Sequence, residues 1–349
     1  MKALKRASVE DDLTLPGPFE SGEEAEELWF LPPDEEDDDA SALLSPLPRA
    51  ARVSLVDAAG WRAAEAALSA DLAELNFDLG RLSERVASAG PAAVQRLALA
   101  EASSLSWWSG DRVSSDRLAL WLSYRIGAAE EGGEGLIRTA WAARRLGAAG
   151  QGRGIAATLA ATLGEDGRAD PGLLADVAAE GEALAGISAV TTGCALCHLW
   201  RSLDERPDHL RGLEAAVLGA RVAGRGALPF LPLTLTGFAA LTASGSPEAR
   251  LAGWITGAHR AVLSVLMTLE RLANWRRRAE AETADLSGRT PVRLIAALMA
   301  QPMLTAAQAE VETGASRAAV QRNLDVLLAR GLVREVTGQG RFRVWAAAV

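Results

Sequence analysis

Thr305-Ala-Ala-Gln308, Gly314-Ala-Ser316, an apolar-periodic run to Arg330, and then Gly331-Leu-Val-Arg-Glu-Val-Thr-Gly-Gln-Gly-Arg-Phe-Arg-Val-Trp345 decide how the C-terminal end folds. Thr305 with Gln308 three positions later is a capping box, so a helix starts there. Gly314 suits the bend that ends it, and Ser316 is a cap for the next helix. In that next helix Val320, Leu324, Leu327 and Leu328 share one face. Arg317, Ala318, Gln321 and Arg322 therefore face outward near its N-terminal end.

Upstream, Pro291 fits a first helical turn, Leu294, Ile295 and Leu298 supply an apolar stripe, and Pro302 stops the helix. Downstream, Leu332–Val336 and Arg341–Trp345 read as two strands joined at Thr337-Gly-Gln-Gly340. Alternation places Arg341, Arg343 and Trp345 on one face and Phe342 with Val344 on the other. Helix, turn, helix and an arginine-rich hairpin is the layout of a winged helix-turn-helix, the fold in which a recognition helix enters a DNA groove. Arginine and glutamine match guanine and adenine edges, and Ala318 suits a thymine methyl. Gln339, Arg341 and Arg343 are the wing's candidates for backbone or minor-groove contact. From Leu286 onward the chain carries eight arginines against four acids, a balance that favours a polyanionic partner.

The whole chain reads differently. Its 349 residues have a formal net charge of −9, but residues 1–50 hold fourteen acids and four basic residues, leaving the remainder close to neutral. Residues 1–52 form an acidic, proline-punctuated tail, expected to be disordered, with Leu28-Trp-Phe-Leu-Pro-Pro33 as an apolar island. Residues 53–246 read as an all-α body: helical spacing from Val56 to Ala89, a second helix from Pro91 through Trp107 and Trp108 to Gly110, and stretches near 114–129, 135–147, 153–163, 171–204 and 207–223. Ten tryptophans against six phenylalanines and one tyrosine make tryptophan the main large anchor. Residues 247–288 contain a long connecting helix, Pro247 to about Asp285, with Trp254, Ala261, Val265, Leu269 and Leu272 on one stripe. Arg276, Arg277 and Arg278 near its far end are candidates for further phosphate contacts. Residues 289–349 complete the chain as the winged module. The fold class is mainly α, a multi-helix body followed by a winged helix-turn-helix with a small β-hairpin.

No apolar run reaches the ~18 residues of a membrane span, and the chain lacks a secretory pattern at its start, which points to the cytoplasm and to no membrane partner. Cys194-Ala-Leu-Cys197-His198 has the spacing of a c-type haem attachment, yet it sits inside an apolar helix, Ile187–Leu203. Two small thiols packing a helix is the better reading. Zinc at the same trio lacks a fourth ligand, since His209 and His259 are the other histidines. No phosphate-binding glycine loop, nucleophile elbow or His-Glu-x-x-His helix is present. Hence no catalytic residue, cofactor or metal is expected.

The C-terminal part resembles that of Fic-family proteins, on Arg250-Leu-Ala-Gly-Trp254, Leu269-Glu-Arg-Leu-Ala-Asn-Trp-Arg-Arg-Arg278 and Leu332-Val-Arg-Glu-Val-Thr-Gly-Gln-Gly-Arg-Phe-Arg343. The His-Pro-Phe-x-x-Gly-Asn-Gly-Arg loop that makes such proteins nucleotidyl transferases is absent, so the resemblance does not bring that activity with it. Across residues 55–349 the chain is similar to a Fic-related alphaproteobacterial family that ends in a helix-turn-helix DNA-binding domain, through Ala100-Glu-Ala-Ser-Ser-Leu-Ser-Trp-Trp-Ser-Gly110 and Gly340-Arg-Phe-Arg-Val-Trp345. That likeness implies a DNA-binding protein. It also implies Ala and Leu where this chain has Glu310 and Thr313. The resulting expectation is a non-enzymatic regulator of transcription that binds double-stranded DNA, with a homodimer as one possible form. The rival reading makes the module a protein-docking surface and the chain an antitoxin-like or assembly partner, engaged through the helical body or the tail. A degenerate Fic-like nucleotidyl transferase is the third.

Overall fold

The computed structural model describes residues 55–124, 133–148, 154–164, 169–338 and 343–349. The acidic tail expected over 1–52 lies outside them, as do Gln339 and Arg341.

Asp57 accepts a hydrogen bond from Gly60 N at 2.8 Å and opens α1 (Ala58–Ala67), which is followed after Leu68 by α2 (Ser69–Ala89). α3 (Pro91–Ser109) begins with proline in its first turn and ends at Gly110, whose φ of 91° is the left-handed cap. There follow α4 (Ser115–Tyr124), α5 (Gly133–Gly147), α6 (Ile155–Leu159) running into a π-helical turn at Ala160–Gly164, and α7 (Pro171–Glu182). α8 (Ala189–Leu203) and α9 (Asp208–Gly224) form an antiparallel pair, a short α10 (Ala239–Thr242) follows, and α11 (Pro247–Glu282) runs for 36 residues. The module comprises α12 (Thr290–Ala300), β1 (Leu304–Thr305), α13 (Ala306–Thr313), α14 (Arg317–Ala329), β2 (Val333–Glu335) and β3 (Val344–Ala347).

Two long helical runs read from the sequence are each broken in two. The run over 171–204 stops at Glu182, turns through Gly186 with φ 84°, and restarts at Ser188. Ser188 accepts from Thr191 N at 3.2 Å while its own N and Oγ donate to the Glu65 carboxylate at 3.1 and 2.8 Å. The run over 56–89 breaks at Leu68, which carries no local breaker. Both halves lie against α11, so the break is a tertiary choice that lets each find its own angle on that helix.

α9 is buried on all sides from Gly212 to Gly224, the signature of a central helix. Around it stand α3, α5, α6 and α8. Trp200 and Trp254 are fully buried, so tryptophan is indeed the large anchor of this core. Cys194 and Cys197 are buried and free, and burial pushes the Cys197 thiol up to about 12. They act as small apolar side chains in the α8–α9 contact.

That contact is made backbone to backbone. A Cβ on Gly193 would stand 2.5 Å from Gly219 O, and one on Gly219 would stand 2.8 Å from both Gly193 O and the Trp254 ring. No flexible side chain is available to give way at Gly193. Gly193→Ala is therefore expected to destabilise the fold by about 2 kcal/mol in spite of alanine's better helix propensity. A denaturant titration in which this variant matches or exceeds the parent would show that the two helices can slide apart freely.

The strands form one antiparallel sheet in the order β1-β3-β2, with Leu304 opposite Trp345 and Glu335 also opposite Trp345. The expected hairpin is formed by β2 and β3, and a third strand is added to it, because Leu304–Thr305, just before the capping box, also pairs with β3. The alternation expected for β3 holds, with Trp345 facing away from Val344, but both faces are covered. β3 starts at Val344, and all four of its residues are buried. Trp345 and Ala347 join the core of the module with Leu294, Leu298, Val320 and Leu327, while Val344 and Ala346 pack with Met303 on Ala119 of α4. A central strand covered on both faces buries every side chain, whatever its alternation.

The module thus meets the body on two sides. At the end of α11, Leu272, Trp275 and Ala279 enter the module's core, and Trp275 Nε1 donates to Leu332 O at 2.7 Å. From α3, Arg96 donates to the carbonyls of Leu298 and Gln301, both at 2.6 Å, and so caps the end of α12. Arg334 of β2 forms a two-pronged pair with Asp116 of α4 at 2.7 and 2.8 Å.

Candidate nucleic-acid interface

The helix-turn-helix is built by local chemistry. Thr305 Oγ1 accepts from Gln308 N at 3.2 Å and the Gln308 side chain bonds back to Thr305 N, so the capping box forms as expected. α13 ends at Gly314 with φ 62°, and Arg293 donates to Thr313 O at 2.6 Å, covering a carbonyl that the helix leaves open. Thr313 is buried, and its hydroxyl donates to Ala309 O at 2.6 Å and accepts from Ala315 N at 3.3 Å. A threonine where the resemblance implies leucine is thus accommodated by satisfying its hydroxyl at the turn. Ser316 caps α14 by accepting from Ala319 N at 3.4 Å.

On α14, Val320, Leu324 and Leu327 are fully buried. Positions 317, 318, 321, 322 and 325 fall within an arc of about 140° on the other side, at 3.6 residues per turn. Arg317, Ala318 and Arg322 are exposed and Gln321 is half-buried. Arg317 is 82% exposed, and its nearest carboxylate, Glu310, is 4.0 Å away, a surface pairing too loose to compete with a phosphate. Arg322 makes no ion pair among the described residues.

Asp325 was missed in the sequence and sits in the middle of this arc. Its carboxylate accepts from Gln321 Nε2 at 2.9 Å and lies 3.9 Å from Arg343 of the wing. Arg343 also donates to Glu335 at 2.9 Å and stacks over the Trp345 ring at 5.2 Å. The i, i+4 spacing from Gln321 to Asp325 was a readable signal; the reach of Arg343 was not. Asp325 thus orients the Gln321 amide on α14 and adds a long-range attraction for Arg343, whose hydrogen-bonded carboxylate is Glu335.

The cluster on α11 is similarly compensated. Arg276 pairs with Glu280 at 2.8 Å, Arg277 with Glu270 at 3.4 Å and with Asn274, and Arg278 with Glu282 at 3.8 Å. Arg278 also donates to the carbonyls of Gly331 and Ala348, at 3.4 and 3.5 Å, which makes it part of the joint between α11 and the module. Of the described cations named from the sequence, Arg317 and Arg322 are the ones whose charge is most open to a ligand.

Among the described residues no group of three or more His, Cys, Asp or Glu is arranged to hold a metal ion, and no helix is long and apolar enough to cross a membrane. His259 bonds to Asp78 at 2.9 Å, and His198 lies half-buried on α8.

Three helices, the last of them capped by Ser316, and a three-stranded sheet define a winged helix-turn-helix of the kind carried by DNA-binding regulators of transcription. Residues 284–341 match the model of the MarR family, so the C-terminal end of this chain carries a MarR-family winged helix-turn-helix domain. No curated protein matches the chain.

Proposed function

We propose that this protein is a non-enzymatic regulator of transcription that binds double-stranded DNA through the N-terminal half of α14. Arg317, Ala318, Gln321 and Arg322 meet base edges, and Gln339, Arg341 and Arg343 of the wing meet the backbone or the minor groove. The observation that carries this reading is the pair of open guanidinium groups on one arc of a capped helix within a MarR-family domain. Arg276, Arg277 and Arg278 take a secondary part, as phosphate contacts that first exchange their own carboxylates. The helical body, residues 53–246, and the connecting helix, 247–288, receive a signal and pass it to the module, 289–349, through the two-sided joint. The residues quoted for a Fic-related family accord with this reading and bring no transferase chemistry. A homodimer reading a twofold site accords with the MarR match. Its site of action in this reading is the cytoplasm.

Salt tests the reading. Three phosphate contacts per module give a slope near −3 in log K against log salt, so affinity for duplex DNA is expected to fall about fortyfold between 50 and 200 mM salt. Fluorescence anisotropy with the purified full chain measures this on its own upstream DNA and on random duplex. Absence of binding to either, or a salt-independent affinity, would transfer the function to a protein partner docked on the module.

A further inference from the structure

A cavity of about 730 Å³ opens in the body, away from the module, between the ends of α3, α8, α9 and α11 and the segment after α10. Its wall carries three guanidinium groups, Arg201, Arg211 and Arg250, with His198 and Trp108 beside them. Asp208 is the carboxylate on this wall, 3.2 Å from Arg211 and 3.8 Å from Arg201, and is itself largely exposed. Charge is thus left over in favour of the cations. Arg201 is held in place by donating to Leu241 O at 3.0 Å and stacking over the Trp108 ring at 5.6 Å, so it is oriented before any ligand arrives.

Two buried polar atoms at this wall have no partner: Arg250 Nε and His198 Nε2. Buried polar groups left without an acceptor or donor cost stability, and natural folds retain them mainly where something else completes the bond. Burial, and then the positive charges of Arg250 and Arg201, push the His198 imidazole down to about 4. The imidazole is therefore neutral at pH 7 in a positive field, and it adds a hydrogen-bonding edge without competing for an anion.

We propose that this cavity is a binding site for a small anion bearing a phosphate or carboxylate group, gripped by Arg201, Arg211 and Arg250. A guanidinium fork matches both oxyanions in two-pronged fashion, and the volume is that of an ordinary small-molecule site. Arg250 stands in the first turn of α11, whose other end carries Trp275 and Arg278 into the module. Trp108 ends α3, whose Arg96 caps α12. As a further step, which rests on the DNA-binding reading, the anion acts as an effector through these two helices.

Isothermal titration of the full chain with inorganic phosphate, with citrate and with glycerol as the uncharged control tests the site. Saturable, one-to-one binding of phosphate or citrate in the millimolar range or tighter, with none of glycerol, is expected, and the tighter of the two anions identifies the class. Ser244→Glu places a carboxylate at the exposed rim without disturbing the core, and Arg250→Gln removes one cation. Each is expected to weaken binding at least tenfold with an unchanged circular dichroism spectrum. No saturable binding of either anion by the parent chain, or full affinity in Ser244→Glu, would overturn the site. If the bound anion leaves DNA affinity unaltered, the effector step falls and the site stands. If the parent chain binds no DNA, the function proposed above falls and the site again stands.

Discussion

Reversing two charges on α14, Arg317→Glu with Arg322→Glu, is expected to lower affinity for DNA at least a hundredfold while leaving the melting temperature nearly unchanged. Each arginine is exposed, and neither is tied into a network that the fold needs. Losing two charge-assisted contacts and adding two repulsive ones amounts to about 3 kcal/mol or more of binding free energy. Position 317 is the first residue of α14, where a carboxylate interacts favourably with the helix dipole, and this gain of a few tenths of a kcal/mol is offset by repulsion from Glu310 nearby. Anisotropy on duplex DNA and a thermal melt of the same preparation separate the two effects. Full affinity in the double variant would mean that α14 does not face DNA. Gln321→Ala, by contrast, is expected to relax sequence preference more than affinity.

The stability of the body is expected to fall as pH rises from about 4.5 to about 7, by about 3 kcal/mol on account of Glu101 alone. Glu101 is fully buried on α3, and burial raises its carboxyl from 4.5 to about 7 even though Thr234 and the backbone of Leu233 and Thr234 donate to it. Its Oε1 accepts from Leu233 N at 3.0 Å, Thr234 N at 2.9 Å and Thr234 Oγ1 at 2.9 Å, while its Oε2 is buried without a partner. The folded chain therefore holds this proton longer than the unfolded chain does. Between the two values the unfolded state binds fewer protons, so unfolding becomes easier as pH rises; below about 4.5 the full contribution is present, and above about 7 the loss is complete. Glu101→Gln keeps an acceptor at Oε1 and cannot ionise. Urea titrations of parent and variant at pH 5 and pH 8 give the comparison: the difference in stability between them should change by about 2.5 kcal/mol in favour of the variant at the higher pH. Parallel pH profiles would show that the Glu101 carboxyl titrates as an ordinary one.

Such a carboxyl on α3 was not legible in the sequence, where Glu101 is one acid among many in a helical stretch. What made it special is the segment Leu233–Thr234, more than 130 positions later, folding back onto it. The anion cavity was equally hidden. Its arginines come from α8, α9 and α11, and nothing in the spacing of 201, 211 and 250 announces that they share a wall. Arg96 likewise reads as a surface cation on an amphipathic helix, and only the packing of α3 against α12 turns it into a cap for Leu298 and Gln301.

The helix-turn-helix was legible in detail, because a capping box, a left-handed glycine and a serine cap act within one helical turn and are complete in the local sequence. Where helices start, which face of α14 is apolar and which side chains stand opposite it were therefore determined by the sequence itself. Where a guanidinium finds its carboxylate was not. Arg334 meets Asp116 across 218 positions, Arg343 is drawn to Glu335 and Asp325, and β3 is covered on both faces by segments that the sequence does not place side by side. Charge and burial depend on which surfaces come together, and that was decided by the tertiary structure alone.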